Sequence, residues 1–256
     1  AGASTATSLG QFVCFCLLLV GLRVSKCMPT HLRNVRLTAL RLRGIMGGGL
    51  PSLFRQGLGS IATTTLNIAA NPYGDAAIAA MSVVSRIMMF ANSALIGFGQ
   101  GFQPVCGFNY GADKYDRVKE AFWFCVKVVT VILVVLCVIS LLFSGQIVAV
   151  FRRDDPQVIA IGTLALRFQL LTLPLWGYIT MCNMFTQAIG YGVRSTIIST
   201  ARQGIFLIPA LLVFPNIWGL LGIQIAQPVA DICTLVLCIA IVNGILRQLK
   251  AKEDLA

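Results

Sequence analysis

The sequence predicts an all-α membrane protein, a polytopic bundle of about seven transmembrane helices. Hydrophobic residues make up 57% of the 256 residues and charged residues only 11%, whereas a soluble domain carries about a quarter charged residues. Apolar runs, each close to the ~20 residues that a helix needs to cross a bilayer, divide the chain from one end to the other. Both observations indicate lipid as the solvent of most side chains.

The apolar runs follow one another with short polar connections. Their approximate bounds are 2–22, 47–70, 76–104, 119–144, 157–188, 194–214 and 218–246. The second run is unusually polar, since it contains Arg55 and Asn67 among several threonines. The fourth run is the most lipid-like, and the fifth is interrupted by Pro174. We expect each run to form one membrane helix.

The third run ends in a stretch rich in glycine and amide side chains, residues 99–112. Pro104 lacks a backbone donor, and Gly107 and Gly111 permit sharp turns and close packing. We therefore expect the membrane helix to break here and the chain to reverse. Amide groups at membrane depth must face protein or a water-filled path, and this stretch supplies them from Gln100, Gln103 and Asn109.

The net charge of +11 arises from residues placed between the apolar runs. This placement fits the positive-inside bias of membrane proteins and not a nucleic-acid-binding face, so we expect no nucleic acid partner. Basic residues concentrate in the first connection, after Lys114, near Arg194 and in the tail. These segments fall on one side, which we assign to the cytoplasm. The sequence thus predicts a multi-pass protein of the cell (plasma or inner) membrane with a cytoplasmic C-terminus.

The residue types that catalysis and metal binding need are scarce. Most of the nine cysteines lie inside apolar runs, where cysteine acts as a small hydrophobe, and His31 is the single histidine. There is no Cys-x-x-Cys pair or His/Cys pair with zinc-ligand spacing. Apart from Glu120 at the edge of the fourth run, Asp231 is the one acidic residue inside an apolar run, whereas a membrane-embedded enzyme needs clustered acids or histidines. We expect no catalysis, no metal and no cofactor.

Three segments, taken in order, resemble the multidrug and toxic compound extrusion (MATE) transporters. Residues 101–112 read Gly-x-Gln-Pro-x-x-Gly-x-Asn-Tyr-Gly-Ala, like the family's segment between the second and third helices of a lobe. Residues 49–56 are similar to the opening of the C-terminal lobe, and residues 199–209 to its fifth helix in the MepA-like branch. The resemblance extends over nearly the whole chain.

This resemblance implies a two-lobed secondary antiporter that exports cationic, amphipathic small molecules in exchange for protons or sodium. It implies four parts: 1–25, the last helix of a truncated N-terminal lobe; 26–46, a basic cytoplasmic inter-lobe loop; 47–247, a six-helix C-terminal lobe; and 248–256, a cytoplasmic tail. A missing N-terminal lobe and the lipid bilayer would be its partners. Sodium-coupled members resembling NorM carry acidic residues in the helices that match runs two and five, and these runs have none. The sequence therefore leaves open whether the coupling ion is a proton or sodium.

Two other functions remain open at this point. One is a flippase for lipid-linked oligosaccharides of the same superfold, because surplus intramembrane arginine would suit an anionic head group. The segment 101–112 favours the drug exporter over the flippase. The other is a non-functional truncated remnant.

The side chains most able to carry transport chemistry are polar groups inside the apolar runs. Arg202 and Asp231 lie at similar depth on consecutive antiparallel helices, so an ion pair between them is expected. Such a pair either locks two helices or forms a site where a proton or cation competes with Arg202. Surplus arginine charge must be solvated in a cavity, bonded to carbonyls or paired with another lobe. The candidates for the substrate or ion pathway, each of which could instead hold helices together, are Arg55, Gln56, Asn67, Arg86, Gln100, Gln103, Asn109, Tyr178, Asn183, Gln187, Arg202, Gln203 and Asp231.

Overall fold

The computed structural model describes residues 2–25, 38–151 and 155–253. These residues form helices joined by short turns, and no β-strand occurs among them. The all-α fold class is therefore confirmed. His31, most of the first basic connection and the last residues of the tail lie outside the described residues.

The chain divides into two units, 1–44 and 45–256. The first unit contains helix α1, Gly2–Ser25, whose apolar stretch Ser8–Gly21 is shorter than a full membrane span. Its apolar side chains, Phe12 and Leu17 among them, are exposed. Helix α2, Ala39–Ala70, begins in this unit and continues into the second.

The second unit is a bundle arranged around one central helix, α6. The remaining elements of this unit are α3, Asp75–Gly111; α4, Tyr115–Leu142; α5, Ser144–Phe151; α6, Pro156–Ala188; α7, Gly192–Thr200; α8, Ile208–Trp218; and α9, Leu220–Glu253. Helix α6 packs against α3, α4 and α9. Leu164, Arg167 and Leu171 form an exposed face of its first half, whereas residues 172–188 have no exposed side chain. A helix that is apolar all round belongs in the interior. Its start is capped, because the Asp155 carboxylate accepts the amide of Gln157 at 3.0 Å.

Two glycines let the neighbouring helices approach α6 closely. A Cβ at Gly99 of α3 would lie 2.8 Å from Cγ of Met184, and one at Gly177 of α6 would lie 2.8 Å from Cγ1 of Val129. Real Cβ atoms avoid such distances, so glycine is required for the observed spacing at both positions. Small residues at helix–helix contacts are a general feature of membrane proteins, where packing drives association.

The predicted helix break at residues 99–112 is wrong. Helix α3 continues through Pro104 to Gly111, and the turn follows at residues 112–114. Neither Gly107 nor Gly111 has a positive φ. In this turn the positive φ is that of Asp113, at 57°. A physical reason is that proline deprives one turn of a hydrogen bond, whereas a full break inside a membrane would leave more backbone groups unpaired.

Residues 192–218 form one membrane-length helix that is irregular at its centre. Between α7 and α8 the chain adopts a wider π-helical turn, Ala201–Leu207, which we call the π segment. Pro209 follows directly, in the first turn of α8. π-Helical turns are rare and frequently lie at functional sites.

Among the described residues, five helices are long and apolar enough to cross a membrane. They are Asp75–Gly111, Tyr115–Leu142, Pro156–Ala188, Gly192–Trp218 and Leu220–Ala251. Helix α2 has 32 residues but does not reach the same apolarity, in keeping with the polar side chains noted in its sequence. The total of about seven spans, and the division into lobe, loop and tail, stay predictions. The short helix α5 was not expected from the sequence.

Candidate functional site

A cleft of about 550 Å³ opens in the second unit, between α2, α3, α6, the π segment, α8 and α9. Polar side chains line much of it, and apolar ones cover the rest. The polar group comprises Gln56, Ser60, Thr63, Asn67, Ser82, Ser85, Arg86, Asn92, Gln169, Arg202, Gln203 and Gln227. The apolar group includes Leu66, Met88, Met89, Trp176, Leu207, Leu211 and Ile223.

The charged residues of this region lie about a third of the way along their helices. Arg86 is 11 residues from the start of α3, Asp231 is 11 residues from the start of α9, and Arg202 is 10 residues from the start of α7. At about 1.5 Å per residue these offsets correspond to about 15–17 Å along each helix axis, so each charge lies well inside its helix. Arg202 and Asp231 lie at one level, because they form an ion pair, and Arg86 lines the same cleft as Arg202.

Asp231 forms the centre of a buried hydrogen-bond network behind the cleft. Its side chain is 0% exposed. Oδ1 accepts Nε of Arg202 at 2.8 Å and Nε2 of Gln227 at 3.1 Å. Oδ2 accepts Nε1 of Trp176 at 2.5 Å, and the Thr172 hydroxyl lies 3.3 Å away. Since a carboxylate offers about four acceptor positions, the network fills its hydrogen-bonding capacity.

Arg202 separates this carboxylate from the cleft. The ion pair expected from helix depth is present, with Arg202 14% exposed and its partner fully buried. The guanidinium carbon also lies 4.0 Å from the ring centroid of Trp176, a cation–π contact. Its Nη2 has no hydrogen-bond partner within the described ranges. Arg202 is thus bound to the Asp231 network on one side and lines the cleft with a donor left over.

Arg86 lines the same cleft from α3 and is exposed. Across residues 2–25, 38–151 and 155–253 it makes no hydrogen bond or ion pair. The cleft lining contains two guanidinium groups and, within those same ranges, no carboxylate. The lining therefore carries positive charge that its own side chains do not balance.

Comparison with known protein families identifies the family to which this chain belongs. Residues 51–212, more than half of the chain, match the family model described as MatE. The chain belongs to the MatE family. The resemblance to MATE transporters drawn from the three sequence segments is therefore confirmed.

Two curated relatives illustrate how this MatE chain compares with longer proteins. It is 24% identical over 249 residues to the multidrug export protein MepA of Staphylococcus haemolyticus, covering 97% of this chain and 54% of the relative. It is 28% identical over 236 residues to MepA of Staphylococcus saprophyticus, covering 91% and 52%. The chain therefore spans about half the length of the curated relatives it matches.

Solved structures agree on the fold. A MATE transporter crystallised in complex with MaL6 superposes with a TM-score of 0.88 at 23% identity, covering 98% of this chain and 57% of that one. The Vibrio cholerae MATE transporter VcmN superposes with a TM-score of 0.82 at 18% identity, covering 92% and 53%. At these identities the likeness shows the MATE fold of this chain.

The structure brings some of the sequence-predicted residues of this MatE chain into the cleft. Those on its lining are Gln56, Asn67, Arg86, Arg202 and Gln203, and Asp231 lies directly behind them. Arg55 and Gln100 lie outside the lining, Arg55 half-buried with no partner for its Nε among the described residues and Gln100 exposed. Their part in a pathway stays a prediction.

The other predicted residues contact neighbouring helices or their own. Gln103 Nε2 donates to Gln187 Oε1 at 2.8 Å and links α3 to α6. Asn183 donates to the Ser199 hydroxyl at 2.7 Å and links α6 to α7. Asn109 donates to the carbonyl of Val105 in its own helix, and Tyr178 makes an edge contact with Phe122. None of these residues is on the cleft lining.

Sequence reasoning missed several residues of the Asp231 network. Thr172 and Trp176 lie on one face of α6, four residues apart, and Gln227 lies four residues before Asp231 on α9. Side chains three or four residues apart share a helix face. For Gln227 this spacing was the available signal, since a polar group one turn from a buried carboxylate is placed to reach it. Thr172 and Trp176 lie on another helix, so their spacing did not connect them to Asp231.

Proposed function

We propose that this chain is one lobe of a secondary active antiporter that exports cationic, amphipathic small molecules across the cell membrane. The observation that carries the proposal is a polar cleft between membrane helices of a MatE chain, with charged residues 10–11 residues inside those helices. Substrate sites of secondary transporters lie near the bilayer midplane, where repeated lobes meet. The relatives named multidrug export protein support the same function. The chain would act together with a second lobe and would catalyse no chemical reaction.

The lining of the cleft suits varied amphipathic substrates. Met88 and Met89 supply unbranched, polarizable side chains next to the aliphatic Leu207 and Leu211. Methionine adapts its shape to different ligands, which favours broad specificity. Amide groups elsewhere on the lining offer donors and acceptors without a fixed charge. Exchange between outward and inward openings of two lobes around this cleft would then move the substrate.

We further propose that a proton, and not sodium, couples at Asp231. Hard cations take several oxygen ligands, yet the Asp231 oxygens face four donors, of which Arg202 and Trp176 carry no oxygen in their side chains. Within the described ranges there is no cluster of three or more His, Cys, Asp or Glu side chains that could hold a metal ion. A proton needs only one of the Asp231 oxygens. Its arrival would neutralise the carboxylate and weaken the hold on Arg202.

The test is transport by the complete gene product in proteoliposomes, with ethidium as the cationic probe. A pH gradient should drive ethidium accumulation, and a sodium gradient at equal pH should not. Asp231→Asn should abolish the response to the pH gradient. The matched control is Asp75→Asn, because Asp75 is an exposed acid in the first turn of α3, outside the cleft. Accumulation driven by sodium alone, or a normal pH response in Asp231→Asn, would contradict the proposed coupling.

The flippase function is the second candidate, and the positively charged lining favours it. The same proteoliposomes can contain a fluorescent lipid with an anionic head group. Protein-dependent transfer of that lipid between leaflets, without ethidium accumulation, would replace the exporter by the flippase. We expect ethidium accumulation and no lipid transfer.

A further inference from the structure

Among the described residues of this chain, the charges on and directly behind the cleft lining do not cancel. Arg202 and Asp231 neutralise each other at 2.8 Å, so this pair contributes no net charge. Arg86 then adds one positive charge that no other lining side chain offsets. A cationic substrate alone would leave this charge unbalanced at membrane depth, where uncompensated charge is unfavourable.

The groups of the cleft that could bind a cation already contact Arg202. Within the described ranges Trp176 is the one aromatic residue on the cleft lining, and Arg202 stacks on its ring at 4.0 Å. The Asp231 carboxylate is fully buried behind Arg202. A cationic ligand must therefore displace Arg202 before it reaches either group. An anionic ligand group meets the Arg86 guanidinium without displacing anything.

The surroundings of Arg86 suit an anion. Arg86 shares the cleft lining with Ser82 and Ser85 of its own helix and with the amides of Asn67 and Asn92. A guanidinium binds a carboxylate or phosphate through two parallel N–H donors, and amide or hydroxyl groups add further donors. Within the described part of the chain, neither asparagine amide makes a hydrogen bond.

We propose that Arg86 is the centre of an anion-binding subsite, so that the preferred substrates carry an acidic group besides their apolar part. This inference rests on the proposed function, since it takes the cleft as the substrate site. It adds a requirement for an acidic group, so that the substrate class becomes zwitterionic or acidic amphipathic compounds in place of purely cationic ones. The ligand group that binds Arg86 would be a carboxylate or a phosphate, and it would belong to a soluble substrate.

The test is equilibrium binding, measured by the fluorescence of Trp176. The chain has three tryptophans, and Trp123 and Trp218 are exposed. Replacing these two, and every tryptophan of the complete gene product outside this chain, by phenylalanine leaves Trp176, on the cleft lining, as the reporter. The complete gene product in phosphatidylcholine nanodiscs is titrated with 4-phenylbutyrate, its neutral analogue 4-phenylbutanamide and its cationic analogue 4-phenylbutylammonium. Phenylbutyrate should bind most tightly of the three.

Variants of Arg86 test whether this residue causes the preference for the acid over the amide. Arg86→Gln should weaken phenylbutyrate binding by on the order of 10- to 100-fold, the factor for a hydrogen bond to a charged group, and leave the amide unchanged. Arg86→Lys should retain part of the preference. The control is Arg167→Gln, because Arg167 is an exposed arginine that bonds Ser144 at 3.0 Å and lies outside the lining. Size-exclusion profiles verify that each variant folds.

Several outcomes would overturn the inference. Equal binding of acid and amide to the parent protein would do so, as would an acid preference that survives Arg86→Gln. Competition separates the two sources of an anion. If short-chain phosphatidylglycerol displaced phenylbutyrate while soluble acids did not, the assignment to a soluble substrate would fall in favour of a lipid head group.

Failure of this inference is distinct from failure of the proposed function, because the binding assay needs no gradient. Ethidium export without acid preference would remove the subsite and leave the antiporter. Acid preference without transport of any probe would remove the antiporter and leave a binding site.

Discussion

Replacing Arg202 by glutamine should sharply destabilise the protein. The change keeps a polar side chain but leaves the Asp231 carboxylate, 0% exposed, without its cation. Removing one partner of a buried ion pair costs about 3–5 kcal/mol, because the other charge stays buried and uncompensated. For a protein of this size, 1 kcal/mol lowers the Tm by about 2–4 °C. The expected fall in Tm is therefore about 6–20 °C.

The assay is thermal inactivation in detergent, followed by fluorescence-detected size exclusion. The double variant Arg202→Gln/Asp231→Asn should recover much of the loss, since it removes the uncompensated charge together with the cation. Arg167→Gln is the matched control, as an arginine of the neighbouring α6 that is exposed and has no acidic partner among the described residues. If Arg202→Gln changed the Tm no more than this control, or the double variant lost the sum of both single effects, the ion pair would not stabilise the fold and this reasoning would be refuted.

Three further predictions concern the network, the packing and the topology. Trp176→Phe removes the indole donor 2.5 Å from the buried carboxylate and should cost about 1.5–3 kcal/mol by the same Tm assay; an unchanged Tm would show that this donor is dispensable. Gly177→Ala should cost about 1–3 kcal/mol, because its Cβ would contact a stiff valine on α4, whereas Gly111→Ala, with nothing within 4 Å, should be neutral. In a cysteine-free background, a cysteine at Asn71 should react with an impermeant maleimide added to intact cells and one at Lys250 should not; the reverse pattern would invert the proposed orientation.

Much of the fold follows from composition and spacing alone. Apolar runs of membrane length predict the helices of the second unit, because lipid leaves the backbone few alternatives to a helix. The pairing of Arg202 with Asp231 was also predictable, since isolated charges at one depth on adjacent helices have strong reason to meet. Both inferences depend on the position of a residue along its helix, which the sequence gives directly.

The errors have a common physical origin. Pro104 signals a lost hydrogen bond, but whether a helix bends through it depends on the neighbours that pack around it, which the sequence does not display. The same holds for Gly99 and Gly177, which look like any other glycines until the helix against each is known. Trp176 reads as an apolar residue, and only the orientation of α6 reveals its bond to Asp231. Tertiary packing decided each of these cases.

The central claim is that Asp231, held by Arg202, couples the movement of an ion to the movement of substrate through the cleft. Separating gradient-driven accumulation from substrate counterflow tests it most directly, since counterflow exchanges labelled for unlabelled ethidium and needs no ion. In proteoliposomes of the complete gene product, Asp231→Asn should retain counterflow and lose accumulation driven by a pH gradient. Loss of both activities in a protein that is still folded, or retention of both, would contradict the claim.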